Sequence, residues 1–255
     1  MTYDVSAPLV SRRKVAREMW VLGFEAAPIA RTVMAGQFVN LLMRPGPLLR
    51  RPFSVYRADG DVVEIVLSAV GEGTERLLEL TRGELVSALG PLGRGFQLDA
   101  GPGQVTLISG GLGVAPMPLA ARDARALGLE VTWVHGARTQ AELCSEADAD
   151  RYYWATDDGS TGVHGSALDA VPPSEVGHVL ACGPNRMLAA VAARWPDAQV
   201  AVETYMGCGT GVCLGCAVPR SSGVYDRACT EGPVYRAGSI RWADLPAHLH
   251  YRVTA

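Results

Sequence analysis

The sequence predicts two domains and an appendage: a small antiparallel β-barrel over residues 1–100, an α/β domain built on a parallel sheet over 101–198, and a short cysteine-rich module over 199–255. Three observations support this. Short runs of strand-forming residues, punctuated by Gly and Pro, fill the first hundred positions, the pattern of a small barrel. Strand and helix patterns then alternate, as they do where a parallel sheet is covered on both faces. Finally, Cys208, Cys213, Cys216 and Cys229 crowd into one stretch near the end of the sequence.

The bulk properties agree. A chain of 255 residues holds two cores. Apolar residues make up 48% and charged residues 19%, which excludes a disordered chain. The net charge of −3 comes with no basic stripe, so nucleic acid is not an expected partner. The first twenty residues lack an apolar stretch and a small-residue cleavage site. The apolar run 105–121 is broken by glycines and prolines and fits strand, loop and helix better than a membrane span. No membrane association is expected, and the cytoplasm is the expected compartment for reduced thiols.

In the barrel, 37–42 alternates in part and 61–68 is a strong strand pattern, with Pro45-Gly46-Pro47 and Gly90-Pro91 as breaks and one short helix at 74–80. Two motifs stand out. Arg51-Pro52-Phe53-Ser54 opens a strand. It combines a cationic fork suited to pyrophosphate, an aromatic ring and a hydroxyl; the plain alternative is a strand-end arginine beside a packed Phe. Gly71-Glu72-Gly73-Thr74 precedes the helix, where exposed N–H groups attract an anion. The plain alternative there is a turn with Thr74 as N-cap. Together, one cation and one helix terminus could clamp two phosphates.

Gly101-Pro102-Gly103 marks the change of rhythm. Residues 105–109 form a compact strand, followed by Ser109-Gly110-Gly111-Leu112-Gly113-Val114-Ala115-Pro116 and an Ala-rich helix over 117–127. The loop reads G-x-G-x-x-P, with Pro116 where the dinucleotide fingerprint has its third glycine. It either lets a nucleotide approach the backbone or simply turns tightly from strand to helix. Strands follow at 131–135 and 179–182, and a helix at 185–194. The second of these strands ends in Ala181-Cys182-Gly183-Pro184, at the sheet edge where open α/β sheets bind ligands. Cys182 faces a ligand there or is a buried small side chain. Cys144, His135, His164, His178, His248 and His250 receive no role, and no catalytic residue is assigned.

The four clustered cysteines read C-x4-C-x2-C plus a distant fourth, the plant-type spacing for a 2Fe-2S cluster. Glycines 207, 209, 211 and 215 lie within two residues of the first three, as expected where backbone turns tightly around inorganic sulfide. Zinc and disulfides are the competing readings.

These motifs, in this order, resemble the ferredoxin–NADP reductase superfamily, and with the cysteine module the chain resembles the electron-transfer subunits of type B, NAD-dependent dihydroorotate dehydrogenases. The resemblance spans nearly the whole chain. It implies FAD held by Arg51, Pro52, Phe53, Ser54, Val66, Leu67, Ser68, Gly73 and Thr74. It implies a cluster on Cys208, Cys213, Cys216 and Cys229. NAD would lie over Gly111, Gly113 and Pro116 and near Cys182, Gly183 and Pro184. Phe53 replaces an aliphatic residue common in these subunits, and Tyr205 a longer polar one. The implied partner is an FMN-containing dihydroorotate dehydrogenase catalytic subunit in a heterotetramer. Electrons from dihydroorotate would pass through the cluster and FAD to NAD in pyrimidine synthesis. Two rival readings stay open: a free-standing NAD(P)H reductase serving another acceptor, and a non-catalytic regulatory subunit holding zinc.

Overall fold

The structure, a computed structural model, describes residues 1–100, 103–144, 146, 149–173, 176–247 and 249. Gly101 and Pro102 at the expected domain boundary, and His248 and His250, lie outside these.

Six antiparallel strands close into a barrel in the order β1-β2-β5-β4-β3-β6. They are β1 (Tyr3–Ala16), β2 (Met19–Glu25), β3 (Phe38–Leu42), β4 (Arg51–Asp59), β5 (Val62–Leu67) and β6 (Leu85–Leu92). Leu22, Ile65 and Val55, opposite one another in register, share one face of the barrel wall and are fully buried. At about 25 cal/mol per Å² of apolar surface removed from water, such side chains are its main source of stability. Two helices interrupt the strands, α1 (Ala27–Ala30) and α2 (Glu72–Glu79), where the sequence predicts one. The predicted helix at 74–80 begins earlier because Gly71, not Thr74, is the N-cap. Thr74 sits one turn in, and its hydroxyl accepts from the N–H groups of Val70 and Gly71 at 2.9 and 3.2 Å. Those are donors a helix start otherwise leaves unpaired.

The second sheet has seven strands in the order β10-β9-β8-β7-β11-β12-β15. They are β7 (Gly103–Gly110), β8 (Leu129–Ala137), β9 (Arg151–Thr156), β10 (Val163–His164), β11 (His178–Cys182), β12 (Gln199–Ala201) and β15 (Val234–Arg236). All pairs are parallel except β12 with β15. Residues 105–109 of β7 are all buried, as a strand covered on both faces requires. Of the helices α3 (Met117–Ala126) and α4 (Asn185–Arg194), α3 touches β7 and β8 on one side and the barrel strand β4 on the other. The sequence reading missed β9, although Arg-Tyr-Tyr-Trp-Ala-Thr is rich in strand formers. The sheet also runs past residue 198, since β12 pairs with β11 and β15 with β12.

The two sheets meet across a polar clasp. Arg13 of β1 forks onto Glu64 at 2.5 and 2.8 Å, and also reaches Glu146 at 2.9 and 3.3 Å. Tyr56 donates to Glu146 at 3.3 Å and lies 3.5 Å from the buried Cys144 thiol. Arg13 is a third exposed, so the ion pairs add about 1 kcal/mol at most. Burial of the Tyr56 ring and Cys144 holds the joint.

The cysteine module adds the hairpin β13 (Ala217–Pro219) and β14 (Tyr225–Arg227). Cys216, Val218, Ala228 and Cys229 pack with Val200, Tyr235 and Ile240. An Arg94–Pro233 bridge ties the module to the barrel, and Arg94 N–H donates to Gly232 O at 2.5 Å.

Candidate functional site

Antiparallel pairing puts the start of β4 beside the end of β5. Arg51, Pro52, Phe53 and Ser54, all half-buried, therefore share one end of the barrel with Val66 and Leu67, which are buried, and Ser68, which leads into α2. Gly73 lies in the first turn of α2, and a Cβ on it would come within 2.8 Å of Arg51 Nε. The guanidinium thus lies directly against the helix start, and its Nη1 donates to Leu49 O at 2.7 Å. Any side chain at this position would have to displace the arginine. Glu72 and Glu75 share that turn. Their charge offsets the helix dipole, so Arg51 supplies the net attraction for an anion.

The parallel sheet brings its two loops together at its carboxyl edge. Cys182 at the end of β11 pairs with Ser109 of β7. From β7 the chain crosses to β8 on one side, while β11 flanks the other, which makes this the switch point where α/β sheets take ligands. Gly111 has φ +54°, and residues Gly111–Val114 form a single 3-10 turn. Gly113 is buried against the other loop: a Cβ there would run into the Cys182 carbonyl and lie 2.6 Å from Gly183 Cα. Pro116 stands just before α3, where a missing N–H goes unnoticed. Cys182 is half-buried, and desolvation together with the nearby Glu203 carboxylate pushes its thiol up to about 12.

The four cysteines occupy one loop and the strand end behind it. Cys216 and Cys229 are buried with sulfurs 3.2 Å apart, Cys208 is half-buried and Cys213 exposed. The N–H groups of Thr210 and Cys213 donate to Cys208 Sγ, each at 3.4 Å, and Gly211 N–H donates to Cys229 Sγ at 3.1 Å. Burial would raise the Cys208 pKa, but those two donors, together with the Thr210 and Cys213 side chains, outweigh it and bring the thiol down to about 6. Burial and the adjacent Cys216 push Cys229 up to about 12. Gly209 and Gly211 have φ +71° and +83°. A Cβ on Gly209 would strike the Asn40 side chain, and one on Gly211 would lie 2.9 Å from Thr230. Among the described residues no three His, Cys, Asp or Glu side chains converge to hold a single ion. A donor set of four thiols, two already receiving N–H bonds, fits a centre in which thiolates divide between two irons.

The cysteine loop abuts the first motif. Asn40 of β3, buried, donates from Nδ2 to Cys208 O at 3.1 Å, and Asn40 is the strand partner of Pro52. One residue thus joins the cysteine loop to the Arg51–Ser54 strand.

A family model described as the iron-sulfur cluster binding domain of dihydroorotate dehydrogenase B matches residues 203–241. The dihydroorotate dehydrogenase B (NAD(+)) electron transfer subunit of Geobacillus thermodenitrificans is 37% identical over 248 residues, 91% of this chain and 96% of its own length. This chain belongs to that family. The counterpart subunit from Desulforamulus reducens is 34% identical and covers 95% of this chain and 100% of its own. Among solved structures, one described as an NADH-dependent reduced ferredoxin-NADP oxidoreductase superposes with TM-score 0.84 at 26% identity, over 94% of this chain and 91% of its own. A ferredoxin reductase of carbazole 1,9a-dioxygenase shares the fold at TM-score 0.66 and 20% identity, over 76% of this chain and 65% of its own. The barrel and parallel sheet are therefore those of the ferredoxin–NADP reductase superfamily, as the resemblance implies.

Asn40 went unremarked in the sequence reading of this dihydroorotate dehydrogenase B family member, since a contact 168 residues away leaves no local signal. His135, left without a role, forms a buried chain: Trp133 Nε1–H donates to Ser109 Oγ at 2.9 Å, which meets His135 Nδ1 at 2.8 Å. This chain braces the strand end that carries the glycine loop. His135 Nε2 has no hydrogen-bond partner, and the ring stands edge-on to Trp154 with centroids 6.2 Å apart. Burial lowers its pKa from 6.5 to about 4. The unfolded chain therefore binds a proton that the folded one refuses, and stability falls as pH drops from 6.5 through 4, by roughly 3 kcal/mol in all. In thermal melts between pH 7 and pH 4, His135→Gln is expected to show a flatter decline than the parent. Parallel curves would mean that His135 titrates normally.

Proposed function

We propose that this chain relays electrons between an FMN-containing dihydroorotate dehydrogenase catalytic subunit and NAD, through a 2Fe-2S cluster and FAD, in the oxidation of dihydroorotate to orotate. The observation that carries the reading is the Asn40 bridge, which sets the cysteine loop against the strand bearing Arg51–Ser54. A flavin exchanges hydride with a nicotinamide and single electrons with an iron–sulfur centre, so it belongs between the two.

In this reading Arg51, backed by Gly73 and Thr74 at the start of α2, grips the FAD pyrophosphate. Pro52, Phe53 and Ser54, with Val66, Leu67 and Ser68, hold the isoalloxazine end. The loop Gly111, Gly113 and Pro116 and the facing Cys182, Gly183 and Pro184 take NAD. Cys208, Cys213, Cys216 and Cys229 ligate the cluster, and the N–H groups of Thr210, Gly211 and Cys213 offset the thiolate charge. The domain division is 1–100 for FAD, 101–198 for NAD and 199–255 for the cluster. No helix among the described residues is long and apolar enough to cross a membrane. We place the complex in the cytoplasm, as a heterotetramer. The base that removes a proton from dihydroorotate belongs to the catalytic subunit, so this chain alone does not oxidise that substrate.

The test is an anaerobic visible spectrum of the purified chain titrated with NADH, with iron and sulfide assayed on the same sample. A flavin band and broad cluster absorbance, both bleached by NADH, are expected. A colourless, zinc-containing protein after attempted reconstitution with FAD, iron and sulfide overturns the relay.

A further inference from the structure

Arg138 lies two residues beyond Gly136, the last residue of β8 paired with β7, whose partner there is Gly110. It therefore stands at the carboxyl edge of the sheet, one strand over from the glycine loop. A dinucleotide laid across the ends of β11, β7 and β8 would bring its adenosine ribose to this place. The end of the second strand is where α/β nucleotide domains distinguish a 2′-hydroxyl from a 2′-phosphate. A free arginine there would favour the phosphate.

Arg138 is not free. Its Nε and Nη2 donate to Glu142 Oε2 and Oε1, both at 3.0 Å, a fork-on-fork pair that occupies the geometry a phosphate would use. The two side chains differ in how firmly they are placed: Arg138 is 77% exposed and Glu142 only 17%. The arginine reaches out into solvent, whereas Glu142, on the 3-10 turn Gln140–Glu142, is largely covered. Two further carboxylates bear on the same guanidinium, Glu18 and Asp157, and with Glu142 they raise its pKa. Glu18 is brought there by the barrel turn, where Arg17 N–H donates to Ala141 O at 2.7 Å. The Arg138 charge is thus already matched by Glu142, with two more carboxylates bearing on it, and a 2′-phosphate arriving here does not find this guanidinium free.

We infer that Glu142 makes this chain select NAD(H) over NADP(H), by occupying the Arg138 fork and repelling a 2′-phosphate, with Asp157 and Glu18 adding to the repulsion. The inference rests on the nucleotide site proposed above and assigns its discriminating residue.

The experiment measures flavin reduction by NADH and by NADPH on the FAD-loaded chain. The parent should favour NADH. Glu142→Gln should raise the NADPH-to-NADH ratio of kcat/KM about tenfold or more, through a lower KM for NADPH, because like-charge contact is what it removes. Asp157→Asn, at an exposed position, should shift the ratio the same way by less. In the unaltered protein the ratio should rise between roughly 50 and 500 mM salt as the repulsion is screened. The salt series and Asp157→Asn decide the matter if Glu142→Gln does not fold. A parent that uses both nucleotides equally overturns the inference, as does a ratio unmoved by substitution and salt. A flavin bleached by dithionite but by neither nucleotide overturns the nucleotide site itself, and this inference with it.

Discussion

Gly113→Ala should abolish efficient reduction by NADH while leaving flavin and cluster in place. The added methyl would enter the space held by the Cys182 carbonyl and approach Gly183 Cα within 2.6 Å. Both obstacles are backbone, so neither can rotate away as a side chain would. Relief requires the ends of β7 and β11 to part, at a cost of about 3 kcal/mol. Because those ends form the proposed nucleotide edge, the strain falls on the site. A rise in KM for NADH of about a hundredfold, equivalent to ~3 kcal/mol, is expected from steady-state kinetics. Dithionite should still bleach both chromophores. Gly128→Ala is the control: with φ +82° and no atom within 4 Å of its Cβ, it should lower stability by about 1 kcal/mol and leave KM alone. A parental KM in Gly113→Ala would show that the loops do not bind the nucleotide.

Cys229→Ser should separate the two halves of the relay. Cys229 is 2% exposed, its sulfur 3.2 Å from that of Cys216 and receiving the Gly211 N–H. Serine at this position offers a harder, less acidic donor in an apolar pocket, a poor ligand for iron. Altering outer-shell groups alone costs roughly 10–100-fold in metal affinity or function, so loss of a ligand should cost more. Iron and sulfide should fall to background and the broad cluster absorbance vanish, while NADH still reduces the flavin at close to the parental rate. In the complex with the catalytic subunit, dihydroorotate-dependent NAD reduction should drop at least about a hundredfold. Since Cys216 and Cys229 sit within the apolar packing of the module, its melting temperature should fall as well. Full iron content in Cys229→Ser would remove this cysteine from the ligand set.

Sequence and structure agree most closely where chemistry demands particular residues. Gly73 and Gly113 could be singled out because a backbone that must come close to something needs glycine. The structure then identifies what lies in the way: Arg51 in one case and the Cys182 carbonyl in the other. The cysteine spacing was legible for the same reason. Elements whose signal is tertiary were not. The missed strand β9 is the exception, since Tyr152, Tyr153 and Trp154 carry a local strand signal of their own. Asn40 and His135 look like ordinary strand residues until the fold brings Cys208 and Ser109 beside them. The Arg138–Glu142 pair belongs with them. The two residues are four apart, but one follows a strand and the other lies on a 3-10 turn, so no helix spacing announces the pair, and only the structure shows that the arginine is exposed and the glutamate covered.

The strand orders of the two sheets also bear on how the protein is made. The barrel closes on itself using only residues 3–92, so it can be complete soon after that stretch leaves the ribosome. The parallel sheet cannot. Until Gln199–Ala201 arrives, and then until Val234–Arg236 arrives, the sheet ends in an unpaired edge of main-chain donors and acceptors, first on β11 and then on β12, open to wrong partners. The segment that finally covers it is the one whose preceding turn contains Cys229. The last of the proposed cluster ligands and the strand that closes this edge are therefore made within a few residues of each other.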